Sequence, residues 1–275
     1  MPYLTVGRDA GNIDIYYEDH GVGKPVVLIH GYPLSGREWE KQVPPLLETG
    51  HRVILYDRRG FGRSTQTIKG YDFDTFAEDL RKLIKHLDIG DVALVGNSMG
   101  AGEVARYIGR YGSMNISRVV FIGGAVPYLT KSEANPAGVD TAMRTQLETA
   151  VKKDRLTFLT SFLENMYNAD ALLGTRLTEE DLRYAWQIAS MASPIGTLKC
   201  ICTWWSDFRP DVAKINVPAL IIHGEMDRSV PLEGTSRLLQ LSIRGSRLVM
   251  IEGAPHGLLT THADKVNPLL VDFLK

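Results

Sequence analysis

Short apolar runs bounded by Gly, Pro or Asp recur through the first half of the chain, and between them apolar residues return at helical intervals. This alternation predicts a parallel α/β sheet, whose strands are apolar on both faces because helices cover both sides. Seven runs read as strands: Ile13 to Glu18, Pro25 to His30, Arg52 to Tyr56, Asp91 to Gly96, Arg118 to Ile122, Ala219 to His223 and Arg247 to Ile251. Between the third and fourth, Asp74 to Leu87 sets Phe76, Leu80, Leu83, Ile84 and Leu87 on one helical face, with charged residues opposite. Further helical patterns run from Gly100 to Tyr111 and from Ala263 to Leu274, the last interrupted by Pro268.

From about Val126 to Asp211 the strand and helix alternation stops, and several amphipathic helical patterns follow one another with few β-like runs. Strand pattern returns just after Val217-Pro218. The organisation expected is therefore one core built from residues 1–125 and 212–275, with residues 126–211 inserted as a helical cap. A chain of 275 residues suits one large domain with a substantial buried interior.

Composition narrows the partners. With 44% hydrophobic and 23% charged residues, this is an ordinary globular composition. Lys and Arg number 31 against 32 acidic residues, and no long basic run occurs, so neither nucleic acid nor an anionic membrane is an expected partner. No stretch approaches the about 20 apolar residues of a membrane span, and the start of the chain lacks the pattern of a signal segment. Cys200 and Cys202 are too close for an unstrained mutual disulfide and have no zinc-like neighbours, so they read as reduced buried thiols. A cytoplasmic protein without metal or cofactor is the expectation.

Chemistry concentrates at three strand ends. Gly96-Asn97-Ser98-Met99-Gly100 follows one apolar strand and opens the helix that runs to Tyr111, which is the strand, turn and helix context of an exposed nucleophilic Ser. A Ser hydroxyl needs a base within hydrogen-bond reach and a third group to hold that base. His256 lies just beyond the strand Arg247 to Ile251, whereas His20, His30, His51, His86 and His223 lie elsewhere and His262 enters the last helix. Two carboxylates follow the strand Ala219 to His223, Glu225 and Asp227, and Glu252 precedes the His loop; residue positions alone leave the third group open among them. Parallel strands bring such ends to one edge of the sheet.

His30-Gly31-Tyr32-Pro33 follows the strand that starts at Pro25, where the backbone N–H of Tyr32, together with that of Met99, would bind a developing oxyanion; Pro33 has no N–H to offer. His30 reads as an element that orders this loop. Asp57-Arg58-Arg59-Gly60-Phe61-Gly62-Arg63-Ser64 lacks the Lys-Ser/Thr ending of a phosphate-binding loop and reads as a structural turn with buried Asp and Arg partners. Pocket residues expected around the nucleophile are Tyr32, Pro33, Asn97, Met99, Val126, Trp204 and Leu258, with Trp205 or Trp204 serving packing, since adjacent helical aromatics point apart.

Ile15-Tyr16-Tyr17-Glu18-Asp19-His20-Gly21, Val26 to Leu34, Tyr56 to Gly62, Gly102 to Tyr107 and Glu252 to Leu258 together resemble the cofactor-free bacterial haloperoxidases, also called non-heme chloroperoxidases, arylesterases or perhydrolases, within the α/β-hydrolase fold. The resemblance spans nearly the whole chain. It implies a mostly parallel eight-stranded sheet, favours Asp227 over Glu225 as partner of His256, and implies a homo-oligomer. It also implies acyl-enzyme chemistry on small esters, with the acyl group passing to water or to hydrogen peroxide; the peracid then oxidises halide in solution. A Pro at position 33 goes with better perhydrolysis in such enzymes than the Leu of many plain esterases, and the alternative is that Pro33 only stiffens its loop. One position departs: Asn97 stands where these proteins usually carry Phe, and Gly-Asn-Ser-Met-Gly is similar to hydrolases that cleave carbon-carbon bonds. Those carry a Gly-rich stretch after His-Gly, where this chain has Tyr32-Pro33-Leu34. Lactonase, amidase or carbon-carbon hydrolase chemistry is the alternative, and a ligand-binding protein of the same fold a further one.

Overall fold

In a computed structural model, which describes residues 2–275, eight strands form one sheet in the order β1-β2-β4-β3-β5-β6-β7-β8. They are β1 (Tyr3–Arg8), β2 (Asn12–His20), β3 (Lys24–Ile29), β4 (His51–Tyr56), β5 (Val92–Asn97), β6 (Ile116–Ile122), β7 (Ala219–Gly224) and β8 (Arg247–Ile251). From β4 through β8 every neighbouring pair is parallel. The hairpin of β1 and β2 joins antiparallel through β2 and β4. The seven expected strands are all present, with ends that differ by up to two residues, as fraying at element ends allows. β1 was not among them. Only Val6 of its residues is buried, and the register with β2 shifts between Thr5 and Gly7, so the strand carries no clean period-two signal.

The central strands are apolar on both faces for a visible reason. Val27, Ile29, Leu94, Val119, Phe121 and Ile221 enter a core on one side of the sheet. Their neighbours Val26, Leu28, Ala93, Val95, Val120, Ile122, Leu220 and Ile222 enter a second core on the other. Successive side chains of a strand point to opposite faces, so both sides need covering.

Among the described residues there are twelve helices, some of which cover these faces: α1 (Val43–Glu48), α2 (Phe73–His86), α3 (Met99–Tyr111), α4 (Ala142–Lys153), α5 (Arg155–Met166), α6 (Ala169–Leu172), α7 (Glu179–Ser190), α8 (Pro194–Thr203), α9 (Arg209–Val212), α10 (Ser236–Ser242), α11 (Leu258–Thr261) and α12 (Ala263–Leu274). α2 starts where the Asp72 carboxylate accepts the Thr75 N–H, and buries Phe73, Phe76, Leu80, Leu83 and Ile84. α4 to α8 follow one another between β6 and β7 without contributing a strand to the sheet. Pro268 does not interrupt α12, contrary to the expectation from sequence: the helix runs through it, giving up the one bond its missing N–H would have made, and buries Val266, Leu270 and Leu274 around it.

The turn after β4 is tied down by charge. Arg58 and Glu103 are both buried and meet at 2.7 Å, Tyr56 donates to the same carboxylate, and Arg59 grips Asp79 with two bonds of 2.7 and 2.8 Å. The Asp57 carboxylate accepts the N–H groups of Gly36 and Arg63. The Arg58 backbone N–H in turn donates to His30 Nε2 at 2.9 Å, and the guanidinium donates to the His30 carbonyl at 2.9 Å. A buried ion pair broken on one side leaves an uncompensated charge. Glu103→Ala is therefore expected to lose about 3–5 kcal/mol in urea unfolding at neutral pH. A loss no larger than the about 1 kcal/mol of an ordinary substitution contradicts this role for the pair.

Candidate active site

Three strand ends supply the site. Ser98 follows β5 directly, with φ 51° and ψ −112°, and stands at the start of α3. A non-Gly residue in this region is strained, and the surroundings hold it there. Gly96 and Gly100 make the turn possible. A Cβ on Gly96 would overlap the Gly100 carbonyl, and one on Gly100 would overlap the Ile29 carbonyl of β3. The Ser98 N–H donates to the Ile122 carbonyl of β6 at 2.7 Å.

His256 follows β8 and Asp227 follows β7, as parallel topology requires. His256 Nε2 lies 2.9 Å from Ser98 Oγ, and His256 Nδ1 lies 2.7 Å from Asp227 Oδ2. Both the imidazole and the carboxylate are buried. The other Asp227 oxygen accepts the N–H groups of Ser229 and Val230, each at 2.8 Å. Since a carboxylate only accepts, Nδ1 donates to Asp227, which leaves the Nε2 lone pair facing the Ser98 hydroxyl. Burial alone would push the His256 pKa down, but the Asp227 charge and hydrogen bond, with a further contribution from Glu38, outweigh it and hold the imidazole above its ordinary value. Burial likewise opposes ionisation of Asp227, and the charge and hydrogen bond of His256 together with His223 overcome it and hold the carboxyl below its ordinary value.

The competing residues lie elsewhere. Glu225 is exposed and accepts the Gly253 N–H at 3.0 Å, so it ties the β7 end to the loop that carries His256. Glu252 is exposed. His223 sits beneath Asp227, with Nε2 against the Val230 carbonyl at 3.0 Å and Nδ1 against the Ser236 hydroxyl at 2.8 Å. His30 accepts at Nε2, so its proton is on Nδ1 and is donated to the Gly31 carbonyl at 2.8 Å. Burial and the Arg58 charge depress its pKa and keep it neutral.

The loop at Tyr32 abuts Ser98: a Cβ on Gly31 would lie 3.2 Å from Ser98 Cβ. Among the described residues neither the Tyr32 nor the Met99 N–H has a hydrogen-bond acceptor, and both residues line the same cavity as Ser98. The Tyr32 hydroxyl donates to the Thr197 carbonyl of α8 at 2.9 Å, which pins the residue from its far end.

Ser98 and His256 open into a cavity of about 360 Å³ lined mostly by apolar side chains from both the sheet ends and the helices between β6 and β7. Trp204, Phe162 and Tyr32 form one aromatic group, with ring centroids 4.8 Å apart for Tyr32 and Trp204 and 5.5 Å for Tyr32 and Phe162. Arg228 is the one Lys, Arg, Asp or Glu among the lining residues, and it pairs with Asp170 at 2.7 Å. Tyr32, Met99, Val126 and Trp204 line the cavity. Pro33, Asn97 and Leu258 do not. Pro33 is buried within its loop. Asn97 has the parity of Ala93 and Val95, so it points to the opposite face of the sheet, and Leu258 packs into the core on that same face. Trp205 stacks on Trp204 without lining the cavity. Cys200 and Cys202 are free, but Cys202 is only partly buried, with Sγ 3.0 Å from the Lys199 carbonyl.

Glu38 escaped the sequence reading. It lies in a short helical turn (Gly36–Trp39), and its Oε1 accepts the Gly31 N–H at 2.8 Å and the Asn97 amide at 3.3 Å. Its only sequence signal is indirect: Asn97, the departure noted above, needs a polar partner once buried. Among the described residues no cluster of three or more His, Cys, Asp or Glu side chains could hold a metal ion, and no helix is long and apolar enough to cross a membrane.

Residues 24–263 match the family described as alpha/beta hydrolase fold. A bromoperoxidase from Bacillus anthracis is 49% identical and superimposes with a TM-score of 0.95 over 99% of both chains. The chain belongs to the α/β-hydrolase family, in its non-heme haloperoxidase branch. It is also 38% identical to a non-heme chloroperoxidase from Kitasatospora aureofaciens, over 100% of this chain and 99% of that one. A bifunctional esterase/perhydrolase from Acinetobacter calcoaceticus is 33% identical over the full length of both. The chain is thus an enzyme of this fold. The turn at Ser98 depends on close backbone approach, so Gly100→Ala is expected to cost about 1–3 kcal/mol in thermal or urea unfolding, the usual penalty of overpacking. Full stability in that variant contradicts the contact with β3.

Proposed function

We propose that the enzyme is a serine hydrolase of small esters that transfers the acyl group to water or to hydrogen peroxide. The observation that carries the reading is the pair of bonds, 2.9 Å from Ser98 to His256 and 2.7 Å from His256 to Asp227, at the wall of an apolar cavity. Ser98 Oγ attacks the ester carbonyl while His256 Nε2 takes its proton, and Asp227 holds the imidazole and stabilises the imidazolium. The negative charge that forms on the carbonyl oxygen is met by the N–H groups of Tyr32 and Met99, which are left without other acceptors. The alcohol leaves with the His256 proton. Water or hydrogen peroxide then attacks the acyl-Ser98 ester, gives its proton to His256, and departs as carboxylic acid or peracid as Ser98 regains its hydrogen. A peracid released this way oxidises halide outside the protein, without haem or metal.

Names of relatives support both acceptors: one is a bifunctional esterase/perhydrolase, and others are non-heme chloroperoxidases. The division of labour follows the chain. Residues 1–125 and 212–275 carry the reacting groups, and the cap, residues 126–211, closes the cavity with Phe162 and Trp204. The aromatic and aliphatic lining suits an apolar acyl or alcohol group of modest size. Asn97 gives no support to carbon-carbon bond cleavage, since its side chain is turned to Glu38. Two free thiols suit a reducing cytoplasm.

Ser98→Ala is expected to abolish both hydrolysis of short p-nitrophenyl esters and peracid formation with hydrogen peroxide. Turnover that survives the substitution contradicts the reading, and hydrolysis without peracid restricts it to an esterase. The second test is pH. His256 must be neutral to accept the proton, and its pKa is held above the ordinary 6.5, so kcat/KM is expected to fall on the acid side with a midpoint above that value. Asp227→Asn moves the midpoint down and lowers kcat by about 10³–10⁴-fold. An acid limb unchanged by Asp227→Asn rules out this coupling. Exhaustive chelation leaves the rate unchanged, and a loss restored by added metal contradicts the mechanism.

A further inference from the structure

Glu38 is a carboxylate in an unusual place. One oxygen accepts two N–H donors, from Gly31 at 2.8 Å and from the Asn97 amide at 3.3 Å. The other oxygen, Oε2, is out of contact with solvent and has no partner among the described residues, and neither has Asn97 Oδ1. Two bare acceptors weaken the fold, because a desolvated polar atom without a bond is a cost. Groups kept at such a cost are more often found where chemistry needs them than where packing does.

The two donors explain the need. Gly31 directly precedes Tyr32, and Asn97 directly precedes Ser98. We propose that Glu38 is a positioning residue of this site: by fixing the Gly31 N–H and the Asn97 amide with one carboxylate oxygen, it sets the loop that presents the Tyr32 N–H against the strand end that presents Ser98. The inference rests on the serine-hydrolase reading above. A carboxylate acceptor binds N–H donors more strongly than a neutral one, so the ionised form holds the two segments together best. Its charge also favours the imidazolium that His256 becomes during attack.

The position makes this hold sensitive to pH. Burial pushes the Glu38 pKa up to about 7, against the pull of the Gly31 and Asn97 bonds and of the Arg58 and His256 charges. Glu38 borders a second, smaller cavity of about 40 Å³ beneath α7, where Tyr167, Lys41 and Asp181 also face it. Lys41 is paired with Asp181 at 3.1 Å, Tyr184 with Glu40, and Arg37 with Glu18 at 3.6 Å, so the groups around the opening are mutually compensated. Near neutral pH a small change in acidity therefore shifts Glu38 between its holding and its neutral form. On acidification the carboxylate is lost, the two bonds weaken, and the electrostatic support of the imidazolium goes with them.

The test compares the native chain with Glu38→Gln and Glu38→Leu on p-nitrophenyl acetate from about pH 5 to 9. Glu38→Leu is expected to lower kcat by about 10- to 100-fold with KM within about twofold, while its thermal unfolding midpoint stays close to the native one, since relief of a buried carboxyl offsets the Gly31 and Asn97 donors left unpaired. Glu38→Gln keeps a neutral acceptor, folds normally, and is expected to show a shallower acid limb with a lower midpoint than the native enzyme. A filler role would move neither the limb nor kcat. Native kcat and an unchanged pH profile in Glu38→Gln overturn the proposal. Labelling by a fluorophosphonate separates the two readings. Absence of label on Ser98 in the native chain would be a failure of the serine-hydrolase reading itself. Ser98 labelled equally fast in the native chain and both variants would be a failure of the Glu38 inference alone. The downfield His256 Nδ1 proton in NMR tests the link without turnover: its titration midpoint is expected to drop in Glu38→Gln, and an equal midpoint overturns the proposal.

Discussion

Close backbone packing at Gly96 and Gly100 is the constraint on which the site depends. β5 can turn into α3 within one residue only because no side chain separates Gly96 from the Gly100 carbonyl or Gly100 from the Ile29 carbonyl. That turn forces Ser98 to φ 51° and lifts its hydroxyl off the sheet edge toward His256. The same contact brings the end of β3, and with it Gly31 and Tyr32, against Ser98. Strain at one residue is thus tolerated because two strands and a helix are locked around it.

Electrostatic support is layered outward from this turn. Asp227 is surrounded by donors on both oxygens, so its charge stays fixed beneath His256. His30, held neutral between Gly31 and Arg58, braces the far side of the Tyr32 loop. Arg58 is in turn neutralised by Glu103 from α3, the helix that begins at Ser98. The chain of contacts returns to its starting point, which couples the geometry of the reacting groups to the core and leaves little freedom for the loop between them.

Much of this was legible in the order of residues. Parallel strands read as apolar runs, and residues placed just beyond their C-terminal ends share one edge, so the order of strands puts Ser98, His256 and the carboxylates that follow β7 at a common edge. Resolving Glu225 from Asp227 needed the resemblance, because both follow β7 and only the turn between Asp227 and Val230 decides which one points at His256. Pocket residues were read less well. Nearness in sequence to Ser98 suggested Asn97, yet the alternation of a strand sends it to the other face, and Leu258 follows His256 into the core there. Glu38 was invisible because its meaning lies in contacts with residues 7 and 59 positions away. β1 was missed because a half-exposed edge hairpin with a shifted register carries little pattern.

The covalent role of Ser98 is the most direct point of test. The native chain is mixed with excess p-nitrophenyl acetate, quenched in acid within the first turnovers, and read by intact-protein and peptide mass spectrometry. A single acetyl group on the peptide containing Ser98, transient in the native chain and absent from Ser98→Ala, is the result expected of an acyl-enzyme. Product release with no acetyl group on Ser98 at any time, or acetyl found only on another residue, would contradict it.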